Sequence, residues 1–268
     1  MMNLTDQVVI ITGGSKGIGR ETAKLFAQRQ AQVIITGRRE EELKKTCSSI
    51  QSTGGRCDYF QGDVTDIDAC KRIVEAVTEK YHHLDILINN AGMSMRGLFE
   101  DTHLDLFHKI MDINFGGAVN MTKFALPSLI ESRGSVVFIS SLSGLKGIPG
   151  IAPYCTAKMA LTGFSESLRA EVSRHQVHVG ILYVGFTEND GDKTIYSATG
   201  ERIPLRRPKN NDTQQGVAKS VLKSVQKRKS IMYLTALGKV TKILYQFFPR
   251  LSSYFLRKVA LKSEMYKS

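Results

Sequence analysis

The sequence predicts an α/β fold, a single doubly wound parallel sheet with helices on both faces, followed by a C-terminal amphipathic helical extension. Two observations predict it. Short apolar runs such as Val8-Val9-Ile10-Ile11 and Val136-Val137-Phe138-Ile139 alternate with longer stretches whose apolar residues recur at helical spacing. Small polar clusters then recur where the runs end: Gly13 to Gly19, Asn89-Asn90-Ala91-Gly92 and Ser140-Ser141. Strands alternating with helices imply right-handed crossovers and a sheet covered on both sides. Ligands in such sheets bind at the carboxyl ends of the strands, where these clusters lie.

In order, residues 8–12 read as the first strand and 20–27 as the first helix, with the glycine turn between them. Residues 32–36 are a second strand, followed by a charged helix to about 52. Residues 56–61 are a third strand ending at Gly62-Asp63-Val64, and a helix follows over 66–81. A fourth strand over 84–88 runs into Asn89. Two helical stretches cover 103–131, a fifth strand spans 135–139, a long helix 154–174 and a sixth strand 177–183. Residues 213–228 read as helix and 231–234 as the last strand.

The chain has 268 residues, ordinary for one α/β domain, with the apolar and charged fractions of a globular protein. We divide it into a catalytic domain over 1–235, with a substrate lid at 187–212, and an extension over 236–268. A first strand beginning so early leaves no room for a signal peptide, and no apolar run is long enough to span a bilayer. Cys47, Cys57, Cys70 and Cys155 lack metal-ligand spacing and read as reduced thiols, so no metal is expected. The expected location is cytoplasmic, with membrane association left open. The net charge of +12 is concentrated late, since no acidic residue lies between Asp212 and Glu264.

The first strand ends in Gly13-Gly14-Ser15-Lys16-Gly17-Ile18-Gly19 and opens directly onto a helix. Glycines let a backbone approach a ligand closely, and the helix start offers free N–H groups and a positive dipole end to a pyrophosphate. Taken alone, such a turn could also bind nothing. An NAD-binding chain places Asp or Glu about twenty residues further on, against the ribose 2′-hydroxyl. Here that position reads Gly37-Arg38-Arg39, with no acid before Glu40. A guanidinium forks onto a 2′-phosphate, which a carboxylate would repel, so NADP(H) is favoured. Lys16 could add a second positive charge.

Tyr154 and Lys158 lie one helical turn apart and project from one face. A free phenol titrates near pH 10, too high for acid–base work near neutrality; lowering it about 3 units takes roughly 4 kcal/mol. One cation at about 4 Å in an effective dielectric near 20 supplies about that much. Cys155 is turned about 100° from Tyr154 and reads as packing, not as a nucleophile.

Together the motifs resemble the short-chain dehydrogenases/reductases. They are Thr12-Gly13-x-x-x-Gly17-x-Gly19, Asp63-Val64, Asn89-Asn90-Ala91-Gly92, Asn114, Ser141 and Tyr154-x-x-x-Lys158, covering about 5–185. The resemblance implies a Rossmann fold, with Asp63 on the adenine and Asn90, Ala91 and Gly92 flanking the cofactor. It selects Ser141 over Ser140 and Ser143 to bind the substrate oxygen, and makes Asn114 the holder of a water in a proton relay. It has Lys158 bind the nicotinamide ribose, and places Ser15, Lys16, Ile18 and Val64 among the cofactor contacts. One departure stands out: Val184 occupies a position usually held by proline before Gly185. Thr187 is then a candidate carboxamide contact.

The lid is polar and broken by Gly191, Gly200 and Pro204. Ile195, Tyr196 and Ile203 could face a substrate, and Arg202, Arg206 and Arg207 could meet a phosphate. In the extension, 236–248 and 251–261 set apolar and aromatic residues against Lys and Arg around Pro249. Basic amphipathic helices suit an anionic membrane surface. Such tails resemble those of reductases acting on lipid or steroid carbonyls, including the acyl-dihydroxyacetone-phosphate reductase branch. The same face could instead pack on the sheet or on another subunit. No nucleic-acid module is present.

The expected activity is an NADP(H)-dependent oxidoreductase of carbonyls or alcohols in lipid metabolism, with Tyr154 as general acid and base. The resemblance also implies a homo-oligomer. The alternatives are a dinucleotide-sensing scaffold and a membrane-peripheral interaction protein with little turnover.

Overall fold

The computed structural model describes residues 4–205 and 212–262. Arg206 and Arg207, and residues 263–268 of the extension, lie outside the described residues. The elements run β1 (Val8–Thr12), α1 (Gly17–Ala27), β2 (Gln32–Gly37), α2 (Glu40–Gln51), β3 (Arg56–Gln61), α3 (Ile67–Tyr81) and β4 (Ile86–Asn89). Then come β5 (Met95–Arg96), α4 (Leu104–Met111), α5 (Gly117–Glu131), β6 (Ser135–Ser141), α6 (Ala152–Glu171) and β7 (His178–Val184). The chain continues through β8 (Thr194–Ser197), β9 (Arg202–Pro204), α7 (Gln214–Gln226), β10 (Ile231–Tyr233), α8 (Ala236–Phe247) and α9 (Pro249–Lys262).

Seven strands form one parallel sheet in the order β10-β7-β6-β4-β1-β2-β3. This is a doubly wound Rossmann-type α/β fold. Period-two alternation divides the strand side chains between two cores. Val9 and Ile11 face a core shared with α1, α2 and α7; Val8 and Ile10 face one shared with α3, α5 and α6. The order reverses between β1 and β4, which opens a crevice at their carboxyl ends.

The fourth strand starts later than the sequence suggested. Asp85 interrupts the apolar run, and its carboxylate instead accepts the Val8 N–H at 2.8 Å from outside the strand. β6 runs two residues past the expected end and so carries Ser141 as its last residue. The two helices expected over 103–131 are joined without a break by a π-helical turn at Asp112–Gly116.

The segment expected to be an irregular lid contains strands. β8 pairs with β5 in parallel and with β9 antiparallel, giving a second sheet of three short strands. Ile195 and Tyr196 are buried there, and Tyr196 shares a small core with Met95, Leu106 and Ile110. These strands are too short for periodicity, and their pairing joins residues about a hundred positions apart (Met95 with Tyr196).

Candidate active site at the switch point

The glycine turn and the Asn89–Gly92 segment are stitched together by Thr12. Its hydroxyl accepts the N–H groups of Asn90 and Ala91, each at 3.0 Å. The Asn90 side-chain amide returns to the carbonyls of Thr12 (3.0 Å) and Gly13 (3.1 Å). Gly13 has φ +64, and a Cβ there would press on the Ala91 backbone. A Cβ at Gly19 would collide with the Gly13 carbonyl. At Gly17, φ +59, a Cβ would meet nothing within 4 Å. Ser15 is held from behind, its carbonyl accepting the Thr46 hydroxyl at 3.0 Å. Ile18 opens the first turn of α1. A glycine-rich backbone turn at a helix start is the geometry that holds the phosphates of a dinucleotide, and here the Asp190 carboxylate takes the Gly17 N–H that would meet them.

At the end of β2, Arg38 lies 3.7 Å from Asp63, whose other carboxylate oxygen accepts the Thr65 N–H at 3.0 Å. Together they border a cleft of about 240 Å³ beside α4. Arg39 precedes α2 in extended conformation. The Val64 carbonyl accepts the Asn120 amide at 3.0 Å, and its side chain sits tightly against Gly117. This end therefore offers a guanidinium and a carboxylate side by side.

Lys158 is the most constrained charge in the molecule's centre. Its side chain rises from α6, is only 4% exposed, and donates to the Ile139 carbonyl at 3.0 Å. Burial, with the Lys193 charge nearby, lowers its pKa from the usual 10.5 to about 8. Its ammonium lies 5.6 Å from the centre of the Tyr154 ring. Tyr154 packs, with Met93, against the Tyr196 cluster. The two therefore share one face of α6, as their spacing predicts.

Asn114 sits in the π turn, nearly fully buried. Its amide donates to the carbonyls of Met93 (2.7 Å) and Ile110 (2.9 Å), and its oxygen accepts the Met93 N–H at 3.2 Å. A Cβ on Gly92 would lie 2.8 Å from the Asn114 oxygen and 3.6 Å from the Lys158 ammonium. Gly92, Asn114 and Lys158 are thus mutual neighbours.

The strand alternation separates the serines. Ser140 is buried and donates to the Lys158 carbonyl at 3.3 Å, while Ser143 is buried below the loop. Ser141 is partly accessible; its hydroxyl accepts the Ser143 N–H at 3.2 Å. Cys155 is buried, and its sulfur accepts the Ile148 N–H at 3.2 Å, in keeping with a packing role. Val184 closes β7 opposite Ser141, and Gly185 passes close against Thr235. Thr187 is buried, donates to the Gly185 carbonyl at 3.3 Å, and forms a bridge to Asp212.

One feature had no signal in the sequence. Lid carboxylates reach the glycine turn: Asp190 accepts the Gly17 N–H at 3.1 Å and an Arg20 N–H at 3.0 Å, and Asp192 pairs with Lys16 at 2.6 Å. Lys16 also pairs with Glu42 at 3.2 Å. Helix α1 has no side-chain cap or early acid of its own, so Asp190 supplies both from a distant loop. Burial works against the Asp190 carboxylate, but hydrogen bonds from Gln214 and Arg20 outweigh it and hold its pKa below the usual range. No cluster of His, Cys, Asp and Glu suited to a metal occurs among the described residues.

A backbone cradle at the switch point, beside a buried lysine and a tyrosine on one helix face, defines a dinucleotide-dependent α/β protein. The family model described as short chain dehydrogenase matches residues 7–199. The chain is similar to Dehydrogenase/reductase SDR family member 7B of Danio rerio, 32% identical over 250 residues, covering 90% of this chain and 81% of that protein. It is also similar to 11-beta-hydroxysteroid dehydrogenase-like 2 of Arabidopsis thaliana, 36% identical over 190 residues, covering 70% and 61%. The crystal structure of LigD in its apo form from Sphingobium sp. strain SYK-6 shares the fold, with TM-score 0.77 and 24% identity over 91% of this chain and 96% of that one. The chain belongs to the short-chain dehydrogenase/reductase family. It is accordingly an oxidoreductase of CH–OH or C=O groups that works with a nicotinamide dinucleotide.

Proposed function

We propose that the protein is an NADP(H)-dependent carbonyl reductase or alcohol dehydrogenase of hydrophobic, lipid-like substrates. The observation that carries this reading is the meeting of Lys158, Tyr154, Gly92 and Asn114 beside the glycine cradle. The cofactor, when bound, supplies a hydride to a carbonyl carbon or accepts one from an alcohol.

Every other task falls to the chain. Tyr154 gives its phenolic proton to the substrate oxygen in reduction and takes it back in oxidation. Lys158 places positive charge beside that ring, favouring the phenolate, and binds the nicotinamide ribose. Ser141, whose hydroxyl is partly accessible at the end of β6, hydrogen-bonds the substrate oxygen as charge develops on it. Both amide protons of Asn114 are committed to carbonyls. Asn114 therefore serves the relay by fixing Gly92 and Met93 beside Lys158, not by donating from its side chain.

The remaining candidates hold the dinucleotide. Gly13, Ser15, Gly17, Ile18 and Gly19 form the phosphate cradle. Arg38 and Arg39, with Lys16, take the 2′-phosphate, and Asp63 and Val64 border the adenine. Asn90, Ala91 and Gly92 line the middle; Gly185 and Thr187 serve the carboxamide end. Support for a hydrophobic substrate comes from Phe186, which stands exposed immediately after Gly185.

The test is oxidation of NADPH and NADH against ketones and aldehydes of increasing chain length. The reading expects NADPH to be preferred and turnover to rise with chain length. Equal rates with both cofactors would remove the NADP assignment, and a flat length profile would remove the lipid-like substrate.

A further inference from the structure

We infer that the α8–α9 hairpin is a docking surface for an anionic lipid bilayer. The inference starts from a set of exposed apolar side chains. A helix packed on its own domain turns apolar residues inward and polar ones outward. In this hairpin Val240, Ile243, Phe247, Phe248, Leu251 and Tyr254 are all exposed, Phe247 by 65%. Among the described residues Ser252, at 1% exposure, and Gly238 are turned inward, and Leu244 and Tyr245 are half-buried. Polar contacts help to fasten the hairpin to the body, beside the close approach of Gly238 to Leu142. The Lys146 ammonium donates to the hydroxyls of Ser252 (3.0 Å) and Ser253 (2.9 Å) and lies 5.1 Å from the centre of the Tyr245 ring.

The apolar residues recur at one-turn spacing on each helix. Val240, Ile243 and Phe247 follow the i, i+3, i+7 rule on α8, as Leu251 and Tyr254 follow i, i+3 on α9. Phe248 lies between the two helices in the chain. A face of this size is otherwise rare on the molecule, because the other exposed large apolar side chains of the described residues are scattered along the chain from Ile67 to Ile231. These six apolar side chains are thus turned outward.

Charge selects the occupant. Lys242, Arg250, Arg257 and Lys258 are exposed among the same residues, and no acid occurs from 213 to 263. A second copy of the chain, docked by a two-fold axis, would set this basic face against itself. An anionic lipid surface meets both features at once: headgroups take the cations, and the acyl boundary takes the aromatic side chains. Lys242 and Lys258 already lie over Tyr233 and Tyr254, at 5.1 and 4.8 Å from the ring centres.

The inference does not depend on the reductase reading, since its readout is vesicle binding by the full chain. The probes are sedimentation with phosphatidylcholine vesicles and with vesicles that also contain phosphatidylserine. The expected result is stronger pelleting with phosphatidylserine that weakens as salt rises. Phe247→Ser with Phe248→Ser should lower that binding by about tenfold or more, the scale set by losing two partly buried aromatic side chains. Arg257→Glu with Lys258→Glu should abolish the preference for phosphatidylserine. The thermal unfolding midpoint, measured in each variant, shows that the fold is kept. Absence of pelleting by the parent, or equal pelleting by the parent and the phenylalanine variant, overturns the inference. So does a dimer in sedimentation velocity that the phenylalanine variant converts to monomer, which would assign the face to a second copy.

Discussion

The Asp190 carboxylate accepts the backbone N–H of Gly17 at 3.1 Å, so the lid is tied to the first turn of α1. The tie is charged on both sides, because Arg20 also donates to Asp190 at 3.0 Å. Hydrogen bonds to charged groups are worth about 1.5–3 kcal/mol, and partial exposure puts this one at the low end. Asp190→Ala should therefore loosen the lid while leaving the sheet intact. Hydrogen exchange would show faster exchange at residues 188–197 and unchanged protection in β1 and β4. Unchanged exchange in the lid would contradict the tie.

Gly92 has its place because no side chain fits between Asn114 and Lys158. Gly92→Ala would set a methyl 2.8 Å from the Asn114 oxygen. Overpacking of this kind costs about 1–3 kcal/mol, but the displaced neighbours are the site itself. Turnover should fall further than thermal stability does. A melting shift with normal kcat would place the strain elsewhere.

The Arg38–Asp63 pair at 3.7 Å gives a direct handle on cofactor choice. Arg38→Ala should weaken NADPH binding by about 10–100-fold, the worth of a charge-assisted contact with a phosphate. NADH binding should change little. Titration of both cofactors against both proteins measures the ratio; equal losses for the two would assign Arg38 to the shared part of the dinucleotide.

Lys158 makes stability depend on pH in a stated direction. Its pKa is 10.5 by default and about 8 in the fold. Between those values the unfolded chain holds a proton that the folded chain has released, so this group makes stability rise with pH from about 8 to 10.5. Below about 8 the folded protein carries the buried charge and its cost. Lys158→Met removes both the charge and the slope. Denaturant unfolding at a series of pH values should show the variant gaining most over the parent near neutrality and least at high pH. Its turnover should be lost throughout.

Much of this arrangement was legible in the chain, for identifiable reasons. Val8-Val9-Ile10-Ile11 announces a strand buried on both sides, and the glycines after it announce a turn that needs φ above zero at Gly13 and Gly17. Tyr154 and Lys158 are close in sequence, so helical geometry alone brings them together. What was illegible depends on pairings between distant segments. Asp190 meets Gly17 and Met95 meets Tyr196 only after the sheet has formed. The π turn that buries Asn114 likewise looks like ordinary helix in sequence, because its one extra residue per turn leaves no compositional mark. The outward face of α8–α9 was visible as a pattern, but which side the body would cover was not.

Tyr154→Phe tests the central claim most directly, because it removes one oxygen and little else. The measurement pairs NADPH binding with single-turnover reduction of a long-chain ketone that the parent accepts. The account predicts that the variant binds NADPH as the parent does and loses turnover by about 100-fold or more, the scale of a general acid. Turnover in the variant equal to that of the parent would contradict it.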